Sequence, residues 1–140
     1  PAELRFGVVG YGRIGAELVK MLLFFGARVR VYSSKLSTRM ELCALGIDSA
    51  DTKELKVGAL SLSDIDILIN TAPTDFSGAF TGGVLPAGKR VIELASGNNF
   101  SGISGVERLP ALPERAYPDS AARAYAAAVE RNLLSEGGRV

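Results

Sequence analysis

The chain has 140 residues, of which 47% are hydrophobic and 22% charged, and its formal net charge is +1. That length builds one core rather than two, and the near-neutral balance argues against nucleic acid or an anionic membrane as partner. No apolar run approaches the roughly 18 residues needed to span a bilayer, and no secretory leader pattern opens the chain, so a cytoplasmic domain is expected.

Leu4 to Val9 (LRFGVV) is a short apolar run of strand formers, entered almost at once after Pro-Ala-Glu, as in a domain excised from a longer polypeptide. GYGRIG follows, and then Ile14, Leu18, Met21, Leu22 and Phe25 recur at helical spacing on one face. Gly26 is placed to end that helix. Ala27 to Tyr32 is the next strand. Ser37-Thr38 opens a second helix, with Thr38 and Glu41 at capping-box spacing and Gly46 at its close. Cys43, the single cysteine, lies within the segment MELCAL and reads as a small buried hydrophobe; it excludes an internal disulfide.

Ile47 begins a weak third strand, and a short helix or turn covers Lys53 to Val57. Asp66 to Thr71 (DILINT) is a near-continuous apolar run, as in a parallel strand covered on both faces. A helix is expected over Phe76 to Val84, although that stretch is glycine-rich. Val91 to Leu94 is another buried strand, and GNNFSGISG is a loop. Val106 to Leu112 reads as a last strand broken by Pro110. A helix runs from Asp119 to about Leu134 with Ala122, Tyr125, Ala126, Val129 and Leu133 on one stripe, and the tail SEGGRV frays. Strands alternating with helices specify an α/β fold: one Rossmann-type, doubly wound, mostly parallel sheet in three α/β/α layers, spanning residues 1–140.

The chemistry begins at the glycine turn. Gly10, Gly12 and Gly15 form G-x-G-x-x-G between a strand and an amphipathic helix, the context that turns a weak motif into a dinucleotide-binding one. Gly10 permits the tight turn, Gly12 lets a pyrophosphate approach the backbone, and Gly15 lets helix and sheet pack closely. The helix start then presents backbone N–H groups and partial positive charge to the phosphates. Tyr11, Arg13 and Ile14 complete the turn, with Arg13 in reach of a phosphate.

In that fingerprint an Asp or Glu about 20 residues on receives the adenine ribose 2′-OH. Ser33 stands 18 residues after Gly15, where that carboxylate would be. A serine removes the repulsion that a carboxylate would exert on a 2′-phosphate. Ser34 and Lys35 follow, with Ser37, Thr38 and Arg39 close behind. Hydroxyls and cations after a strand end suit a phosphate monoester, which favours NADP as the cofactor and leaves NAD open.

Ligands of doubly wound sheets lie beyond the carboxyl ends of the strands. Asn70, Thr71 and Pro73 after DILINT, and Ala95 and Ser96 after VIEL, are therefore expected on the ribose and nicotinamide side. Asn70 has the alternative of capping the strand-end backbone, and Glu93, inside an apolar strand, reads as structural. No histidine occurs, so the commonest general base and zinc ligand is missing. No metal site is expected, and no catalytic residue can be named.

GYGRIG and FGARVRVYSS resemble the cofactor domain of D-2-hydroxyacid dehydrogenases. Those enzymes carry a catalytic Arg, an acid and a His, whereas Ala95-Ser96-Gly97 stands where the Arg would be. DIDILINTAP, VIELAS and LPALPERAYPDSAARAYAAAV resemble the dipicolinate synthase A family, over nearly all 140 residues but only the cofactor half of such a polypeptide. The resemblance implies a nicotinamide-dependent oxidoreductase of spore formation that turns a dihydrodipicolinate-type precursor into dipicolinate. It implies Gly10, Gly12, Arg13 and Ile14 on the pyrophosphate and Ser33, Ser34, Lys35 and Arg39 on the 2′-phosphate side. Thr71, Ala72, Pro73, Ala95 and Ser96 then border the nicotinamide.

It also implies a substrate domain of the same polypeptide to complete the cleft, without which this domain alone is inactive. The loop GNNFSGISGVER is shorter than the family's, and Ala111 and Glu114 replace family glycines, departures that bear on the substrate more than on the cofactor. Two other readings stay open. One is a non-enzymatic nucleotide-sensing module, which normally keeps the acid that Ser33 replaces. The other is the cofactor domain of a shikimate- or methylene-tetrahydrofolate-type dehydrogenase. Assembly into a homo-oligomer is left open.

Overall fold

The computed structural model describes residues 4–57 and 62–109. Six strands form one sheet: β1 (Arg5–Val9), β2 (Arg28–Tyr32), β3 (Asp48–Ala50), β4 (Ile67–Asn70), β5 (Arg90–Glu93) and β6 (Glu107–Arg108). Their order is β3-β2-β1-β4-β5-β6, and every pairing is parallel. The expected mostly parallel sheet is thus wholly parallel.

Alternation along the strands splits the core in two. Phe6, Val8, Val29, Val31, Ile67, Ile69 and Ile92 face the cluster that contains α1 (Arg13–Phe24) and α2 (Leu36–Ala44). Val9, Tyr32, Leu68 and Val91 face the other, filled by Leu55, Leu62, Ile65, Phe76, Phe80 and Phe100. Burying one such side chain contributes about 1.5–3 kcal/mol, so both faces contribute to stability.

α1 buries Gly15, Leu18, Val19 and Leu22, one stripe at three- and four-residue spacing. Phe25, expected on that stripe, is 42% exposed. The reason is the helix end: Gly26, at φ +81°, turns the chain so that its N–H bonds Leu23 O and Ala27 N–H bonds Leu22 O. Phe25 swings outward and its ring meets Phe24 edge-on.

α2 ends by the same device, with Gly46 at φ +76° and bonds from Gly46 N to Cys43 O and Ile47 N to Leu42 O. Its start differs from expectation. The helix begins at Leu36 with Lys35 as N-cap and no side-chain cap, so Thr38 lies inside it and makes no capping box with Glu41. Only Leu42 is buried in this short helix, and Cys43 is exposed rather than in the core.

The far half of the sheet is built differently. Between β4 and β5 no α-helix forms over Phe76 to Val84, only a 3-10 turn at Thr81–Gly83. Gly82 and Gly83 both sit at φ +68°, outside the helical region. Phe76 and Phe100 stack at 4.7 Å and anchor these loops to the sheet instead. GNNFSGISG is a loop, as expected. Any extension of β6 toward Leu112, the Asp119–Leu134 helix and the tail fall outside the described residues.

Candidate functional site

Three glycines open the site, and each answers to a different constraint. Gly10 has φ +96°, and a Cβ there would lie 2.8 Å from Ala72 Cβ and Thr71 Oγ1. At Gly15 a Cβ would run into the Gly10 carbonyl. Thr71 locks the arrangement by donating from Oγ1 to Val9 O at 2.8 Å. Gly12 is unlike both. Its φ of −77° and ψ of −159° suit any residue, and a Cβ would meet nothing within 4 Å. Neither backbone nor packing needs a glycine there.

Gly12 is also the N-cap of α1, without a side-chain cap. The first-turn N–H groups therefore point off the helix end with the partial positive charge of the dipole behind them. They face a cleft of about 660 Å³ across the carboxyl ends of β1, β2 and β4, within the size range of small-molecule sites. β1 and β4 are neighbours, and the chain runs outward from them in opposite directions, so the cleft lies at the switch point of the sheet.

The cleft floor carries Gly10, Tyr11 and Gly12; the β4 side carries Thr71, Ala72 and Pro73, followed by Thr74 and Asp75. Ser33, Ser34, Lys35 and Thr38 form the β2 side, met by Thr52 and Lys53 from the turn after β3. The remaining expected residues lie elsewhere. Arg13 is exposed at the start of α1, and Ile14 packs against the core. Arg39 donates from Nη1 to Ser33 O at 2.7 Å and pairs with Asp51 at 3.6 Å, so it braces the wall from behind. Ala95 and Ser96 follow β5 and do not line this cleft.

Ser33 is buried, and its hydroxyl accepts the Lys35 N–H at 3.2 Å, closing the turn that leads into α2. The hydroxyl proton is left to donate elsewhere. Lys53, Thr52, Thr74 and Asp75 were not singled out by sequence reasoning. β3 is only Asp-Ser-Ala, too short for a periodic signal, so the turn that follows it could not be placed on this edge.

Glu93 is structural, as read from its place in an apolar strand. It is 2% exposed and accepts from Asn70 Nδ2 at 2.9 Å, Asn99 Nδ2 at 2.9 Å and Ala95 N at 3.1 Å. Asn70 pairs with it across β4 and β5, and its own Oδ1 takes the Ala72 N–H at 3.4 Å, the strand-end capping role. Asn99 accepts the Thr74 N–H at 3.0 Å. One carboxylate thus ties the loop after β4 to the loop after β5.

A second depression, about 490 Å³, lies at the amino ends of the strands. Two of its three arginines are paired: Arg5 binds Asp66 and Arg30 binds Asp48. The Arg5 hydrogen bonds hold the Asp66 carboxyl below the ordinary range. No His/Cys/Asp/Glu group among the described residues could hold a metal ion, and no described helix is long and apolar enough to cross a membrane.

Strand order, glycine turn and cleft position together define a Rossmann-type α/β domain. Solved structures agree on the fold. The dipicolinate synthase A chains of Bacillus halodurans and Bacillus subtilis superpose with TM-scores of 0.61 and 0.62, at 24% and 22% identity, over 94% and 99% of this chain. An imine reductase variant from Myxococcus stipitatus, solved with NAD+, gives 0.53 at 20% identity, over 76% of this chain and 39% of its own. Among curated proteins, 18-hydroxynorfluorocurarine reductase of Strychnos nux-vomica is 39% identical over 75 residues, half of this chain and 19% of that protein. The chain spans 46% and 48% of the two synthase chains, about half their length. No family model matches it.

Proposed function

We propose that this chain is the nicotinamide-dinucleotide-binding domain of an oxidoreductase, with NADP as the preferred cofactor. The observation that carries this is Gly12: a glycine with ordinary dihedrals, an empty Cβ position and a helix N-terminus beside it. A ligand that approaches the backbone accounts for it, and a pyrophosphate is the ligand such a terminus favours. The similarity to dinucleotide-dependent reductases agrees with this reading.

Residues of the chain then divide the work. Gly10, Tyr11, Gly12 and the α1 terminus hold the pyrophosphate. Ser33, Ser34 and Lys35 face the adenine ribose, with no carboxylate at the end of β2 to repel a 2′-phosphate. Thr71, Ala72 and Pro73 border the ribose on the nicotinamide side, held in place by Thr71 and by the Glu93 network. The bound cofactor supplies hydride transfer at its nicotinamide ring. The likeness to dipicolinate synthase A chains supports a substrate of that kind, a cyclic dihydropyridine dicarboxylate, with a further domain of the parent protein closing over it.

Titration of the 140-residue chain with NADPH and NADH, followed by nicotinamide fluorescence, tests the reading. Saturable binding of NADPH, tighter than NADH, is expected. Absence of binding of either at millimolar concentration sinks it, whereas tighter NADH binding sinks only the preference.

A further inference from the structure

The β2 side of the cleft contains a cation that its sequence position did not announce. Lys53 sits in the turn just after β3 and lines the same cleft as Lys35. Its backbone N–H bonds Asp51 Oδ1 at 3.0 Å, which fixes the turn. Neither Lys35 nor Lys53 has an ion-pair partner among the described residues. Arg39, the cation that sequence spacing favoured, is instead drawn behind the wall. It holds the Ser33 carbonyl and pairs with Asp51.

We infer that Lys53, together with Lys35 and the Thr38 hydroxyl, forms the recognition site for a phosphate monoester at this end of the cleft, and that Arg39 acts only by positioning. The inference rests on the dinucleotide reading above and deepens it, by assigning discrimination between the phosphorylated and unphosphorylated ribose to the turn after β3. The geometry favours this over a generic basic surface. Two lysines, Lys35 and Lys53, line one cleft from separate strand ends, together with the hydroxyl-bearing Ser33, Ser34 and Thr38. Asp51 gives one oxygen to the Lys53 N–H and the other to Arg39, and Asp75, the carboxylate among the cleft's lining residues, stands on the β4 side.

The test uses 2′,5′-ADP against 5′-AMP, which differ only in the 2′-phosphate, alongside NADPH against NADH, on the unaltered chain and on Lys53→Ala, Lys53→Glu and Arg39→Met. The expected result for Lys53→Ala is a roughly tenfold loss of 2′,5′-ADP and NADPH affinity, the size of one lost charge-assisted contact. AMP and NADH binding should change less than about twofold. Lys53→Glu should lose more, and both losses should shrink as salt is raised. Arg39→Met should weaken all four ligands alike. The inference is overturned if Lys53→Ala leaves the phosphorylated pair unchanged, or weakens AMP and NADH equally, or if Arg39→Met alone abolishes the discrimination. If the unaltered chain binds none of the four, the dinucleotide reading itself fails and this site with it. Binding of all four with an unchanged ratio in Lys53→Ala removes only the present inference.

Discussion

The two halves of the sheet solve the same problem by different means. From β1 to β3 the crossovers are α1 and α2, both closed by left-handed glycines, with α1 packed through a regular apolar stripe and α2 through Leu42. From β4 to β6 the described crossovers are loops and one 3-10 turn, anchored by a phenylalanine stack and by a buried carboxylate with three donors. The first half is held by apolar contacts between its strands and α1. The second adds to its own apolar cluster a buried polar network, and removing the Glu93 carboxylate leaves the buried Asn70 amide without its acceptor.

Glu93→Ala therefore breaks the comparison most sharply. It leaves the fully buried Asn70 amide without its acceptor, while the partly exposed Asn99 keeps Ser96 O, and urea unfolding should report a loss of about 3 kcal/mol. Glu93→Gln should lose less but still measurably, since one amide face presents N–H to an asparagine donor. A loss below about 0.5 kcal/mol for both, the range of ordinary surface changes, would mean that the far half is held by its aromatic stack.

Next in size is the contrast between two glycines. Gly15→Ala forces a Cβ against the Gly10 carbonyl, and a loss of about 1–3 kcal/mol is expected from overpacking. Gly12→Ala should cost only about 0.5–1 kcal/mol, the difference between Gly and Ala as an N-cap, since its Cβ enters open space. Its dinucleotide affinity should nonetheless fall at least about tenfold. Equal stability losses in the two variants would remove Gly12 as evidence for a ligand.

A smaller effect is expected at the base of the sheet. Arg5 holds Asp66 ionised, which lowers its folded-state pKa below the ordinary 3.8. A lowered carboxylate stabilises the fold above that value and loses the contribution as pH falls through the folded pKa. Asp66→Asn should thus be less stable than the parent at pH 7, and the gap should close in the acid range. A gap that is constant from pH 7 to pH 3 would assign the loss to the hydrogen bonds alone. The smallest change is Thr38→Ala. A true N-cap is worth about 1 kcal/mol, but Thr38 caps nothing here, so its removal should cost under about 0.5 kcal/mol.

Legibility in the sequence follows the same division. β1, α1, β2 and the glycine turn could be read within a residue or two, because period, glycine placement and strand formers agree there. Phe25 misled because helical spacing says nothing of where a helix closes. Thr38 and Glu41 misled because a capping-box pattern one turn inside a helix looks the same as one at its start. Over Phe76 to Val84 apolar residues suggested a helix that Gly82 and Gly83 cannot join at positive φ. Cys43 was read as core from its apolar neighbours, yet α2 is too short and too peripheral to bury more than Leu42.

Taken alone, the sequence determined the class of fold and the presence of a glycine turn, because both rest on local periodicity and on residues a few positions apart. It also located the missing acid at Ser33, since the end of β2 is a local feature. Only the tertiary structure decided which cations reach the cleft. Lys53 and Ser33 line one cleft because β3 lies beside β2, whereas Arg39 lies six residues from Ser33 in sequence and is held by the Ser33 carbonyl and Asp51 instead. The tertiary structure likewise distinguished Gly12 from its two neighbours in the motif. Whether a Cβ has room is a property of what packs nearby, and Thr71 and Ala72 come from the loop after β4, some 60 residues along the chain.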